Sequence, residues 1–342
     1  MNWTSRIIGI TLATGAAFAS LGFGAEARAD TLKWLTYKPQ AANDPQSNST
    51  QWFADQFKLR TGGKHSIDIL WGGTVAKIEE IPTALTSGVG QIGDVVTPYF
   101  PDKFVVNNIV SFFMPQPFST IELGLLMTRW KEQYKQFDEE MARYNLKVVG
   151  FRPLEEYGLI CTKPIRTLEE MKGKRIRSFG YALAALLEGM GATPVSMTTP
   201  EAYEGLQRGI LDCSPIGITL ARGWKYDEVA KFYIDIPFGA IWGHLIAMNR
   251  QAYMRLDEPS RAILDGIGNE YLVEYVKQAD IQAAAVKEQW KTTGVQIVPF
   301  PASELAKVLK HEKVAKVRAE WIEKASKTGL PAASLAAELE LK

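Results

Sequence analysis

Between residues 171 and 212 the chain alternates short extended runs with helix-length stretches, and this alternation commits it to an α/β sheet. The segment MKGKRIRSFGYALAALLEGMGATPVSMTTPEAYEGLQRGILD reads as strand, helix, strand, helix, strand. Arg175, Ile176 and Arg177 lie in one extended run, so the two arginines share a face and Ile176 takes the other. Thr198 with Glu201 forms a capping box, or Thr199 caps a helix that begins at Pro200. That helix stops at Gly209. The same style runs through residues 31–151 and 157–248, where strands alternate with helices of about ten residues. The expectation is an open, largely parallel α/β sheet with helices on both faces.

Residues 260–290 contain no proline, and Ile263, Ile267, Tyr271, Tyr275 and Ala279 recur at helical spacing. A helix of that length spans about 45 Å, longer than one small domain. It is therefore expected to brace two lobes. One lobe is placed at residues 30–152 plus 243–280, and the other at 153–242 plus 281–342.

Residues 1–29 read as a secretory signal peptide: Arg6 precedes an apolar run, and Ala27-Arg28-Ala29 is a small-x-small cleavage site. No later segment approaches eighteen apolar residues, so an exported, periplasmic chain is expected. Loss of Arg6, Glu26 and Arg28 leaves 37 basic and 37 acidic residues. That balance gives no electrostatic reason to expect nucleic acid or an acidic membrane surface. Cys161 and Cys213 could pair in an oxidising compartment, but their apolar settings favour two buried thiols. His65, His244 and His311 are scattered without ligand spacing, so no metal or other cofactor is expected.

The order and spacing KGxRIR followed by MGATPVSMTxxExYxGLQxGxxD resemble the substrate-binding proteins of tripartite ATP-independent periplasmic (TRAP) transporters. The resemblance implies two α/β lobes joined by crossing strands, with a ligand cleft between them and a long helix spanning both. It implies a carboxylate-bearing solute, delivery to the two membrane permease subunits, and no catalysis. Many relatives are monomers, and a monomer is expected here. Arg177 matches the family's ligand arginine, whose planar fork suits a carboxylate better than a lysine's point charge. Arg175 is expected in solvent or paired with an acid.

Further cleft candidates follow from strand ends. Tyr157 stands where some relatives carry a second ligand arginine, and Ile216 where sialic-acid-binding relatives carry asparagine. Thr198 and Thr199 sit at a helix N-terminus, a natural anion site, with capping as the plainer role. Trp34, Tyr37, Trp71, Tyr99, Phe179 and Trp242 cluster at strand ends and are read as aromatic walls. His244 is read as a packing residue. The site so composed suits a monocarboxylate with an apolar or aromatic body. The alternative is an exported enzyme or a sensor-presenting protein, but no GxSxG elbow, metal cluster or phosphate loop supports catalysis.

Overall fold

The computed structural model describes residues 30–340, apart from the side chain of Trp242 and the burial of Trp242 and Gly243. The expected leader lies outside the described residues. Two sheets organise the chain. The first is built from β1 (Asp30–Leu35), β2 (His65–Leu70), β3 (Ile92–Val95), β4 (Leu146–Glu156) and β10 (Ala240–Asn249), in the order β2-β1-β3-β10-β4. The second holds β5 (Gly158–Cys161), β6 (Arg175–Ser178), β7 (Thr193–Ser196), β8 (Cys213–Ile216), β9 (Phe232–Asp235) and β11 (Gln296–Pro299), in the order β11-β9-β5-β8-β6-β7.

Both sheets are mixed. β10 runs antiparallel to β3 and β4, and β5 antiparallel to β8 and β9. The reason is the double crossing: the chain leaves the first sheet from β4 into β5 and returns from β9 into β10. The crossings touch where the Tyr157 amide donates to the Gly239 carbonyl at 3.1 Å. A Cβ on Gly239, at φ 77°, would meet the Gln116 carbonyl oxygen at 1.9 Å, so this return admits only glycine.

The helix Glu258–Thr293 runs 36 residues, capped by Asp257, which accepts from the Ser260 amide at 2.8 Å. Its first half buries Leu264, Ile267 and Tyr271 with Trp34 and Phe53, under the first sheet. Its second half buries Val286 and Trp290 with Leu159 and Ile234 of the second. It spans both lobes. The internal Gly268 allows this, because a Cβ there would stand 1.6 Å from the Val149 carbonyl oxygen on β4. Trp321, Leu335 and Leu339, near the C-terminus, bury in the cluster that holds Val95 and Leu245 of the first sheet.

Cys161 and Cys213 form a disulfide, which corrects the expectation of two thiols. Both are buried as expected, but β5 and β8 align them as direct cross-strand partners with Cα atoms 4.1 Å apart.

Candidate functional site

Where β1 and β3 of one lobe face β6 of the other, the lobes enclose a cavity of about 20 Å³. Arg177 enters it from β6, only 2% exposed. Its Nε donates to the Met197 carbonyl at 3.0 Å, and Nη2 donates to the Tyr99 hydroxyl at 3.0 Å and Thr199 Oγ1 at 2.8 Å. The Phe179 ring lies 4.8 Å from its Cζ. Burial works against its charge, and the groups favouring that charge are the hydroxyls of Tyr99, Tyr226 and Tyr157. No acidic side chain pairs with Arg177 among the described residues, and Nη1 has no acceptor there. A buried guanidinium in that state has spare hydrogen-bonding capacity for an anion.

Arg152, equally buried, is the contrast. Its Nη2 stands 3.3 Å from Asp94, and Nη1 donates to Tyr271 at 2.6 Å and Thr50 at 3.1 Å. Burial lowers its pKa, but Asp94 and the surrounding tyrosines more than offset this and hold it raised. Arg152 is committed to the protein.

On the first lobe's side, Tyr37 lines the cavity, stacked on Trp224 with ring centroids 6.1 Å apart. Its hydroxyl meets His244 Nε2 at 3.0 Å, and His244 Nδ1 meets Arg152 Nε at 3.0 Å. His244, completely buried, is held well below the usual imidazole range by burial, then by Arg152 and Lys38. Behind Trp224 lies a buried ion pair, Lys38 to Asp44 at 2.8 Å, with Lys38 Nζ 5.1 Å from the Trp224 ring.

Of the sequence candidates, Arg177, Tyr157, Thr199, Tyr37, Phe179 and Tyr99 come together around this cavity. Others do not line it. Thr198 is held by Glu201, which accepts from its amide at 2.8 Å and its hydroxyl at 2.6 Å. Ile216 packs inside the second lobe's core. Trp34 lies wholly in the core, edge-on to Phe53 at 5.2 Å, and Trp71 sits half-buried after β2. Trp242 falls outside the described side chains. His244, read as packing, both packs and lines the cavity. Gln46 and Trp224 line it without having been singled out. Neither belongs to a strand-end motif; Gln46 sits in the first turn of the helix Pro45–Arg60. Arg175 pairs with Asp212 at 2.9 Å, as expected.

A wider groove of about 880 Å³ is lined by Glu122, Glu155, Glu156 and Asp235 as well as Lys287 and Arg318. It is larger, but rich in carboxylates, and its Arg318 pairs with Glu340 at 2.7 Å. For an anionic solute the small cavity around Arg177 is the better site.

Comparison with known proteins bears on the fold and the family. A solute-binding protein of Albidiferax ferrireducens is 27% identical over 190 residues, 49% of this chain and 55% of that protein. The chain thus spans about half the length of that relative. Among solved structures, a TRAP periplasmic solute-binding protein from Desulfovibrio salexigens with bound orotic acid superposes with a TM-score of 0.79. Identity is 18%, over 90% of this chain and 97% of that one. DctP6 of Bordetella pertussis, an extracytoplasmic receptor binding pyroglutamic acid, gives 0.77 at 18% identity, covering 90% of this chain and 99% of the other. These likenesses show the fold. The family model for bacterial extracellular solute-binding proteins, family 7 (DctP), matches residues 38–324, and the chain belongs to that family.

Proposed function

We propose that this protein captures a monocarboxylate with a compact apolar or aromatic body and hands it to TRAP permease subunits. The observation that carries the proposal is Arg177: a buried cation with no direct ion pair to a carboxylate among the described residues, at the meeting of two lobes. A carboxylate supplies the missing charge and can take two parallel N–H donors. Tyr37, Tyr157, Phe179 and Trp224 then enclose the body of the acid. Orotic and pyroglutamic acids, bound by the two structural neighbours, are both ring compounds with one carboxylate.

Usual ligand pockets hold about 300–1,000 Å³. The cavity of about 20 Å³ is far below that. Entry therefore requires the lobes to part at the two crossings, and the acid, touching both lobes, shifts the balance back toward closure. Residues 1–29 direct export to the periplasm, where the chain acts as a monomer.

The test is calorimetric titration and thermal shift with orotate, pyroglutamate, benzoate, glucuronate and succinate. Ring monocarboxylates are expected to bind, and Arg177→Lys to weaken them about 100-fold, the worth of a charge-assisted buried contact. Exclusive binding of succinate or of a polyhydroxylated acid would reject the ligand class. Unchanged affinity in Arg177→Lys would reject the clamp.

A further inference from the structure

Two polar groups in the cavity wall have hydrogen-bonding capacity that no described residue uses. The first is the Tyr37 hydroxyl. A guanidinium has donors only and stays protonated. Arg152 presents both Nε, at 3.0 Å, and Nη2 to His244 Nδ1. Nδ1 must therefore carry its lone pair, and the proton of the neutral ring sits on Nε2. From there it points at Tyr37 Oη, 3.0 Å away. Tyr37 accepts from His244, so its own O–H must aim elsewhere. No described residue receives it. The second group is the carboxamide of Gln46, 2% exposed, lining the same cavity with Oε1 buried and without a partner.

We infer that the solute carries an amide in addition to its carboxylate: Tyr37 donates to the solute's carbonyl oxygen, and Gln46 accepts from its N–H. Arg152 and His244 are positioning residues, fixing which way the Tyr37 proton points. This rests on the Arg177 reading above and narrows it from ring monocarboxylates to cyclic amide acids. A site built to satisfy both halves of an amide discriminates strongly, because an analogue lacking either half leaves a buried polar group unpaired.

Three acids of one shape separate the contributions: pyroglutamate, its lactone analogue with ring N–H replaced by oxygen, and cyclopentanecarboxylate. In the purified protein each step down this series is expected to lower affinity about tenfold, the scale of one buried hydrogen bond to a neutral group. Tyr37→Phe should abolish the preference for lactone over carbocycle while keeping the ring on Trp224. Gln46→Leu should abolish the preference for lactam over lactone. Equal affinity for the three acids in the unaltered protein would overturn the inference. So would a Tyr37→Phe variant that retains the full series. If Arg177→Lys still weakens all three in that case, the clamp stands and only the amide reading fails; if Arg177→Lys is also harmless, both fail. Nitrogen-15 spectra of histidine-labelled protein give a second measure. Neutral His244 protonated on Nε2 from pH 5 to 8 is expected, and a proton on Nδ1 would overturn the assigned donor direction.

Discussion

At the scale of the residue, the two buried arginines make opposite predictions. Arg152 neutralises Asp94, so Arg152→Met would strand a buried carboxylate and cost about 3–5 kcal/mol of stability. Arg177 pairs with no acid among the described residues, so Arg177→Met should leave stability unchanged or slightly raised while abolishing acid binding. Denaturant midpoints and titration on the same samples separate the two effects. A large stability loss in Arg177→Met would mean its charge serves the fold. The sequence motif already singled out Arg177, and alternation placed Arg175 on the same face. It could not show depth: Arg175 reaches out to Asp212 at the edge, whereas Arg177 is closed over by Tyr99 from the other lobe, a residue 78 positions away. Trp34 and Tyr37 show the same limit. Both lie at the end of β1, yet one enters the core beside Phe53 and the other the cavity.

At the scale of the element, the sequence revealed which segments are strands better than how they pair. Strand and helix periodicity is local, while register joins residues far apart, here 52 positions between Cys161 and Cys213. That is why burial of the cysteines was legible and their bond was not. Replacing both by alanine is expected to lower stability by about 4 kcal/mol, from the loop the bond closes, read as a shifted urea midpoint. The crossing from β4 to β5 carries a second testable feature. Glu155, buried but for one edge on the wider groove, accepts from Thr219 Oγ1 at 2.7 Å and the Leu220 amide at 3.0 Å, capping the helix Ile218–Gly223. Burial outweighs these bonds and raises its pKa from 4.5 to about 7. The folded state therefore keeps this proton where the unfolded chain has lost it. Stability should fall as pH rises from about 4.5 to about 7, by at most about 3 kcal/mol at 1.36 kcal/mol per unit, and then level off. Glu155→Gln should remove that slope; an unaltered profile would show that Glu155 does not titrate there.

At the scale of the whole molecule, binding depends on how closely the lobes approach, and Gly223 reports on that approach. It ends the short helix Ile218–Gly223 that follows β8, and packs against Lys38 and Asp44 beyond β1. A Cβ there would stand 2.8 Å from Asp44 Oδ2 and 3.0 Å from Lys38 Nζ, which are themselves locked in a buried ion pair. Even an alanine forces the Asp44 carboxylate to shift; a valine asks more than the pair can yield. Gly223→Val should therefore hold the lobes apart without disturbing either core, since the residue touches only the seam. Apparent affinity scales with the fraction of molecules able to close, so a tenfold loss of the closed population weakens binding about tenfold. Small-angle scattering should then show a larger radius of gyration that added acid no longer reduces, at an unchanged unfolding midpoint. If the variant closes and binds normally, the seam between Gly223 and Lys38 does not limit closure, and the crossings at Tyr157 and Gly239 alone set the lobes' approach.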